Sequence, residues 1–183
     1  LRGPLRLTQA TVMKKEMQRV SCSLTKTGSV LRFLNIQGAL YEGGLGGWMK
    51  LDLESDEYSG DLHVSNMDLA SFSRSTETFA TSEPPEGKVD IEIKGLTGVG
   101  SDASTLRGKG KITISQGKLG RIPVFAGIFS LDPTKWGGNP VFDAGSIYYE
   151  LSDRKVNIKT LGFEGKGTSI VGKGSVDFDG NLD

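Results

Sequence analysis

The stretch that decides the fold runs from Leu106 to Phe129 and begins Leu-Arg-Gly-Lys-Gly-Lys-Ile-Thr-Ile-Ser-Gln-Gly. Within it, Ile112 and Ile114 alternate with polar residues, and this period of two is typical of a strand with one buried face. The period then changes to the three- and four-residue spacing of a helix, with apolar residues at Ile122, Phe125, Ala126 and Phe129. The stretch therefore predicts a half-buried strand followed by a small, very apolar helix.

The predicted helix is apolar around most of its circumference, because five of the eight residues from 122 to 129 are large and apolar. Such a helix either plugs the end of a sheet core or contacts lipid, a membrane surface or a partner. A cluster of cations precedes it: Lys109, Lys111, Lys118 and Arg121. A cationic rim beside apolar side chains suits an anionic headgroup, and ordinary solvating charge gives the same pattern.

Alternation continues through most of the chain and is cleanest at residues 88–94, where Val89, Ile91 and Ile93 are separated by charged residues. Connections are short except for two, and at most two short helices are indicated. This pattern predicts a mainly β protein with antiparallel hairpins and meanders. We expect Val89, Ile91, Ile93, Ile112 and Ile114 to share one side of this sheet.

Two strands carry an apolar pattern that changes phase. In the first, Leu31 and Phe33 are followed by a second set at residues 34–40, which predicts a change of buried face at a bulge. In the second, the pattern at residues 156–158 changes phase before Leu161 and Phe163, which we expect to be exposed on the opposite face. Faces that switch in this way favour an open, twisted sheet.

Residues 73–87 are polar, rich in Ser and Thr, and end in Pro-Pro-Glu-Gly. This composition predicts a loop and a candidate boundary between two repeats, 1–72 and 88–183, within one β-domain. The chain begins at Leu1 without a Met or a signal peptide, so we expect it to be a fragment of a longer protein.

Composition excludes several classes of function. Lys+Arg and Asp+Glu each number 22. This balance argues against a nucleic-acid-binding protein, because such proteins usually have more basic than acidic residues. No apolar run approaches the roughly 20 residues needed to span a bilayer. Cys22 is the single cysteine, so no internal disulfide exists, and its position on the apolar side of a strand pattern predicts a buried, inert thiol.

No catalytic or metal-binding pattern emerges from the remaining motifs. Residues 167–173 resemble a phosphate-binding loop, but Gly174 stands where a magnesium-binding Ser or Thr is needed. His63 is the only histidine, no Gly-x-Ser-x-Gly elbow accompanies it, and one Cys with one His cannot form a zinc site. We therefore predict a non-enzymatic protein without cofactor or metal.

Several stretches, taken in order, carry a family resemblance. A hairpin at residues 35–47 (Asn-Ile-Gln-Gly-Ala-Leu-Tyr-Glu-Gly-Gly-Leu-Gly-Gly) joins two aliphatic strands through Tyr-x-Gly-Gly. A strand and short helix follow at residues 58–72, a Leu-x-Gly-x-Gly strand at 106–119, an apolar segment at 122–125, and closing strands at 142–182. This succession resembles the C-terminal region of the AsmA-like family of diderm bacteria, over most of residues 30–183.

The resemblance implies a bridge-like lipid transport protein, which is a large periplasmic protein anchored at one end in the inner membrane. The fold that it implies is a curved, elongated antiparallel β-sheet whose concave face is an apolar groove. It further implies a role in phospholipid transport to, or integrity of, the outer membrane. The expected partners are phospholipid acyl chains and an envelope membrane or its proteins. The family offers no catalytic residues to transfer.

These expectations give two functional hypotheses. In the first, the chain is a lipid-binding segment with headgroup candidates Lys118 and Arg121 and a groove lined by Val89, Ile91, Ile93, Ile112, Ile114, Ile122, Phe125, Ile128 and Phe129. In the second, it is a structural or interaction β-domain with a closed core and no ligand. Alternation of apolar residues fits both equally, since a groove and a core each need one apolar face per strand.

Overall fold

In the computed structural model, the chain forms one ten-stranded antiparallel sheet in which every strand pairs with its neighbours in sequence. The structure describes residues 2–12, 15–74, 86–118, 141–165 and 168–178. The strands are β1 (Arg2–Val12), β2 (Lys15–Thr27), β3 (Val30–Leu40), β4 (Gly43–Asp52), β5 (Glu57–Asp68), β6 (Glu86–Val99), β7 (Asp102–Lys118), β8 (Val141–Ser152), β9 (Lys155–Gly165) and β10 (Thr168–Asp177). The sheet is open, with β1 and β10 at its edges, and the prediction of a mainly β antiparallel fold is confirmed.

The alternation of apolar and polar residues favours strands, and the tight turns between them favour pairing of consecutive strands in a meander. The β3–β4 turn places both Tyr41 and Glu42 at positive φ, and the β8–β9 turn does the same with Asp153 and Arg154. Paired positive φ values match the right-handed twist of the flanking strands, so these turns favour neighbouring antiparallel strands. β5 and β6 also pair directly, so the described strands within 1–72 and within 88–183 belong to one sheet.

β-Bulges interrupt the ladders at several places and have a common conformation. Register shifts coincide with residues in the left-handed region at Arg19, Asn35, Asn66, Gly95 and Gln116. An extra residue in one strand of a pair restores the apolar side chains to the same face after a change of phase. A bulge is present at Asn35, within residues 31–36 as predicted, but the predicted change of buried face is wrong. Phe33 and Ile36 pair with Met49 and Gly47, so the bulge keeps both on the same face.

Carboxylates on neighbouring strands stabilise two of these bulges. The N–H of Asn66 donates to Asp90 Oδ1 at 2.8 Å, and the N–H of Gly95 donates to Asp61 Oδ1 at 2.7 Å. A bulge frees a backbone N–H from the ladder, and an aspartate opposite it satisfies that donor.

One short helix, α1 (Leu69–Arg74), follows β5 in the described part of the chain. Asp68 caps it, because its Oδ1 accepts the N–H of Ser71 at 2.8 Å. The β3–β4 turn holds the helix in place: the N–H of Asp68 donates to the Tyr41 carbonyl at 2.9 Å, and the Phe72 ring meets the Tyr41 ring edge-on at 5.4 Å.

A buried core lies around α1 and across β5–β9. It consists of Met67, Leu69, Val89, Ile114, Ile147, Ile158, Leu161 and Phe163. The prediction that Leu161 and Phe163 are exposed on the opposite face is wrong, because they are 1% and 0% exposed. A bulge in β9, between the pairs Tyr148–Thr160 and Tyr149–Ile158, places these two residues on the same face as Val156 and Ile158.

Candidate apolar binding face

One face of the sheet carries an apolar residue or a glycine from every strand in an unbroken row. In an antiparallel ladder, directly opposed residues point to the same face, so the register identifies the members of the row. The first apolar row, from β1 to β10, is Leu7, Val20, Gly38, Leu45, Val64, Ile91, Ile112, Ile147, Leu161 and Gly172. Gly38 lies against Val20, since a Cβ on Gly38 would be 3.3 Å from Val20 Cγ2, and this contact joins β2 to β3.

A second apolar row lies beside the first. From β3 to β10 it is Ile36, Gly47, Leu62, Ile93, Gly110, Tyr149, Ile158 and Gly174. Leu5 and Cys22 form the corresponding pair on β1 and β2. We refer to the two rows together as the apolar face.

Glycines on this face lie beneath large side chains from the adjacent strand. A Cβ on Gly145 would be 2.1 Å from Phe163 Cδ1, and a Cβ on Gly98 would be 2.3 Å from the Tyr58 hydroxyl. Tyr149 lies across Gly110 and donates its hydroxyl hydrogen to the Glu92 carbonyl on β6 at 3.2 Å. The high glycine content therefore lets aromatic side chains lie flat on the sheet, as close backbone approach requires.

Exposure decreases along the first apolar row from β1 to β9. Leu7 on β1 is 40% exposed, the row members on β2–β7 are partly exposed, and Ile147 and Leu161 are buried. The β8–β9 end is therefore a packed core, and the β1–β7 side is an apolar surface in contact with solvent. An apolar surface of this kind is a candidate binding site.

The structure places five of the predicted groove residues together on the apolar side of the sheet. Register pairs Val89 with Ile114 and Ile91 with Ile112, and Ile93 pairs with Gly110, so their common side is confirmed. Val89 and Ile114 belong to the core at 3% exposure each, whereas the other three are partly exposed.

The structure describes part of the predicted cationic rim but not the predicted apolar helix. Lys109 and Lys111 lie on the opposite face of β7 from Ile112 and Ile114, because they alternate with them along the strand. The candidates Ile122, Phe125, Ile128, Phe129 and Arg121 lie outside the described residues. Lys118 is the last residue of β7, and its side chain is outside the described part as well.

The sequence analysis did not identify most of the partly exposed residues of the apolar face as candidate site residues. Ile36, Leu45 and Leu62 were assigned to strands but not to the groove, although their alternation with polar residues carried the same signal as residues 88–94. Cross-strand register, which joins them to Ile91 and Ile93, is the missing information.

Burial raises the pKa of two titratable groups on this face, Cys22 and Tyr149. Burial raises the pKa of the Cys22 thiol, so it stays protonated, in keeping with the predicted buried thiol. Burial, with a smaller effect of the Glu92 charge, raises the pKa of Tyr149 to about 12. Among the described residues, no group of three or more His, Cys, Asp and Glu side chains is placed to hold a metal ion.

In the described ranges, no helix has the length and apolar character needed to cross a membrane. Comparison with protein-family models, curated proteins and solved structures gives no match for this chain.

Proposed function

We propose that the chain binds phospholipid acyl chains on its apolar face, as a non-enzymatic segment of a longer periplasmic protein that serves phospholipid transport to, or integrity of, the outer membrane. The observation that carries this proposal is the unbroken first apolar row, one residue from each of ten strands, whose β1–β7 part is in contact with solvent. The resemblance of residues 30–183 to the AsmA-like family supplies the periplasmic setting.

The dimensions of the exposed side suit an acyl chain. Six strands spaced about 4.8 Å apart cover roughly 24 Å. One leaflet of a bilayer contributes about half of a hydrocarbon thickness of roughly 30 Å. An extended acyl chain can therefore lie across β1–β6 along the two rows, and each apolar side chain that it covers adds a favourable transfer term.

Gly38 and Gly47 help this arrangement, because they interrupt the two rows on the exposed side with positions that have no side chain. A Cβ at Gly47 would be 2.2 Å from the Asp61 carbonyl oxygen, so this position is restricted to glycine. The exposed side therefore has low relief between Ile36, Leu45 and Leu62, where a flexible chain can make contact with several side chains at once.

The test is mass spectrometry of lipid extracted from the purified chain, with two matched variants. Leu45→Gln places a polar group within the first apolar row, and Leu34→Gln makes the same change on the adjacent strand β3 at a side chain that points to the opposite face. We expect co-purified phospholipid in the wild type and in Leu34→Gln, and a marked loss in Leu45→Gln with unchanged circular dichroism. Equal lipid content in both variants would contradict the proposal.

The buried β8–β9 end supports a second candidate, a structural or interaction β-domain without a ligand. Leu161 and Phe163 are already excluded from solvent, so this part of the face has no room for an acyl chain. Absence of lipid from the wild-type extract, and from the chain after incubation with phospholipid vesicles, would favour this second candidate.

A further inference from the structure

The face of the sheet opposite the apolar face, here called the polar face, contains a depression across β3–β6. Its volume is about 730 Å³, within the range of about 300–1,000 Å³ that is typical of small-molecule sites. Register places the lining residues Gln37, His63 and Glu92 on the polar face, because Gln37 and His63 both oppose Gly46, and Glu92 opposes His63. Trp48 and Asp61 are directly opposed in the neighbouring row of the same face.

The backbone of β4 at Gly46 and Gly47 lies at the centre of the depression. A Cβ on Gly46 would be 2.4 Å from His63 Nε2, so the imidazole lies directly over that residue. The backbone of β4 therefore forms a floor, with Trp48 beside it and His63 above Gly46. Both side chains are exposed, Trp48 at 38%.

Asp61 fixes the indole of Trp48. The Nε1–H of Trp48 donates to Asp61 Oδ2 at 3.0 Å, and the other carboxylate oxygen accepts the N–H of the Gly95 bulge at 2.7 Å. These two donors, Gly95 first, hold the pKa of Asp61 below its ordinary value, so the carboxylate stays ionised. The indole N–H is therefore already hydrogen-bonded, and a ligand would contact the ring through its apolar π-face.

We infer that this depression binds a saccharide. The negative face of an aromatic ring attracts the weakly positive C–H groups of a sugar ring, and a ring that is already oriented loses little entropy on binding. Gln37, His63 and the Lys94–Glu92 ion pair, whose atoms are 2.7 Å apart, provide exposed donors and acceptors for hydroxyl groups.

The charge of the lining favours a saccharide over an anionic headgroup. Asp61 and Glu92 contribute two negative charges and Lys94 one positive charge, so these three groups carry a net charge of −1. This charge disfavours a phosphate. The site is on the opposite face from the proposed acyl-chain surface and can be tested independently of it.

The experiment is calorimetric titration of the full chain with three soluble probes, chitotetraose, cellotetraose and maltotetraose. We expect at least one of them to bind with a millimolar or lower Kd. Trp48→Ala should weaken that binding by roughly tenfold or more, and Trp48→Phe, which keeps a ring, should weaken it less.

Tyr148→Ala is the matched control. Tyr148 is an aromatic residue on the polar face with 46% exposure, but the Lys111 ammonium already lies 5.1 Å from its ring centroid. Its removal should leave the affinity unchanged. Binding of none of the three sugars, or an equal loss in Trp48→Ala and Tyr148→Ala, would overturn the inference. If Trp48→Ala fails to fold, His63→Ala provides the same comparison against Tyr148→Ala.

Discussion

Replacement of Gly145 with Ala tests whether aromatic rings that pack against the backbone of a neighbouring strand require glycine at the opposed position. Gly145 on β8 is buried and opposes Phe163 on β9. A Cβ at this position would be 2.1 Å from Phe163 Cδ1 and 2.3 Å from Cε1. Real Cβ atoms do not approach ring carbons so closely, and the Phe163 ring, which is 0% exposed, has no path into solvent. The ring must therefore move against its neighbours in the core.

The expected cost follows from the burial of Phe163. Overpacking of a dense core usually costs about 1–3 kcal/mol. The upper bound is the loss of the ring itself, since Phe→Ala in a core costs about 3–5 kcal/mol. We therefore expect Gly145→Ala to lower the free energy of unfolding by about 1–3 kcal/mol, or the melting temperature by about 2–4 °C per kcal/mol in a chain of this size.

Urea unfolding followed by circular dichroism measures this cost, and Gly162→Ala on β9 is the control. A Cβ on Gly162 would meet nothing within 4 Å, so this variant should be neutral or stabilised by up to about 1 kcal/mol through the unfolded state. Gly145→Ala should also cost much less in a Phe163→Ala background, because contacting residues couple. Equal stability of the two Gly→Ala variants, or the same cost in both backgrounds, would refute the reasoning.

Three further predictions concern the helix cap, a buried phenol and the apolar face. Asp68→Ala should cost about 0.5–2 kcal/mol near neutral pH by urea unfolding. The Ser71 N–H is the main cause of the lowered Asp68 pKa, so the difference from wild type should disappear as acid protonates the wild-type carboxylate. In ultraviolet titration, Tyr149 should ionise at about pH 12, and Tyr149→Phe should remove that step. Since an unfolded tyrosine ionises near pH 10, stability should fall as pH rises above about 10. Ile112→Asp should cost about 2 kcal/mol or more by burying an unpaired charge, and an unchanged melting temperature would show that this face is solvated.

The alternation of apolar residues was sufficient to predict the class of fold and the common side of residues 89–93 and 112–114. It failed where a change of phase allowed two interpretations. At Asn35, a residue tolerant of the left-handed region marked the bulge. In β9 no residue with positive φ accompanies the register shift near Thr160. A strict period of two therefore predicted the wrong face for Leu161 and Phe163.

Exposure along the apolar rows could not be predicted from the sequence. Leu45 and Ile147 occupy the same row, yet one is partly exposed and the other is buried. Period two identifies the face of a strand but does not indicate what packs on that face. The depression beside Trp48 was missed for a related reason, because Gly46, His63 and Trp48 come together only through the register of β4 and β5.

The bulges connect the fold to the proposed function. A single-residue slip moves every later side chain of a strand to the other face, so each bulge changes which residues face the apolar side. In β3 and β9 the bulges place Ile36 and Leu161 in the two apolar rows, and the bulge in β5 places Met67 on the same face as Val64. A domain that required only a local core around α1 would gain little stability from partly exposed apolar residues that extend these rows to Leu7 on β1. Large exposed apolar surfaces also favour unwanted association. Continuity of the apolar face beyond the packed core is therefore the feature that best supports a ligand lying across the strands.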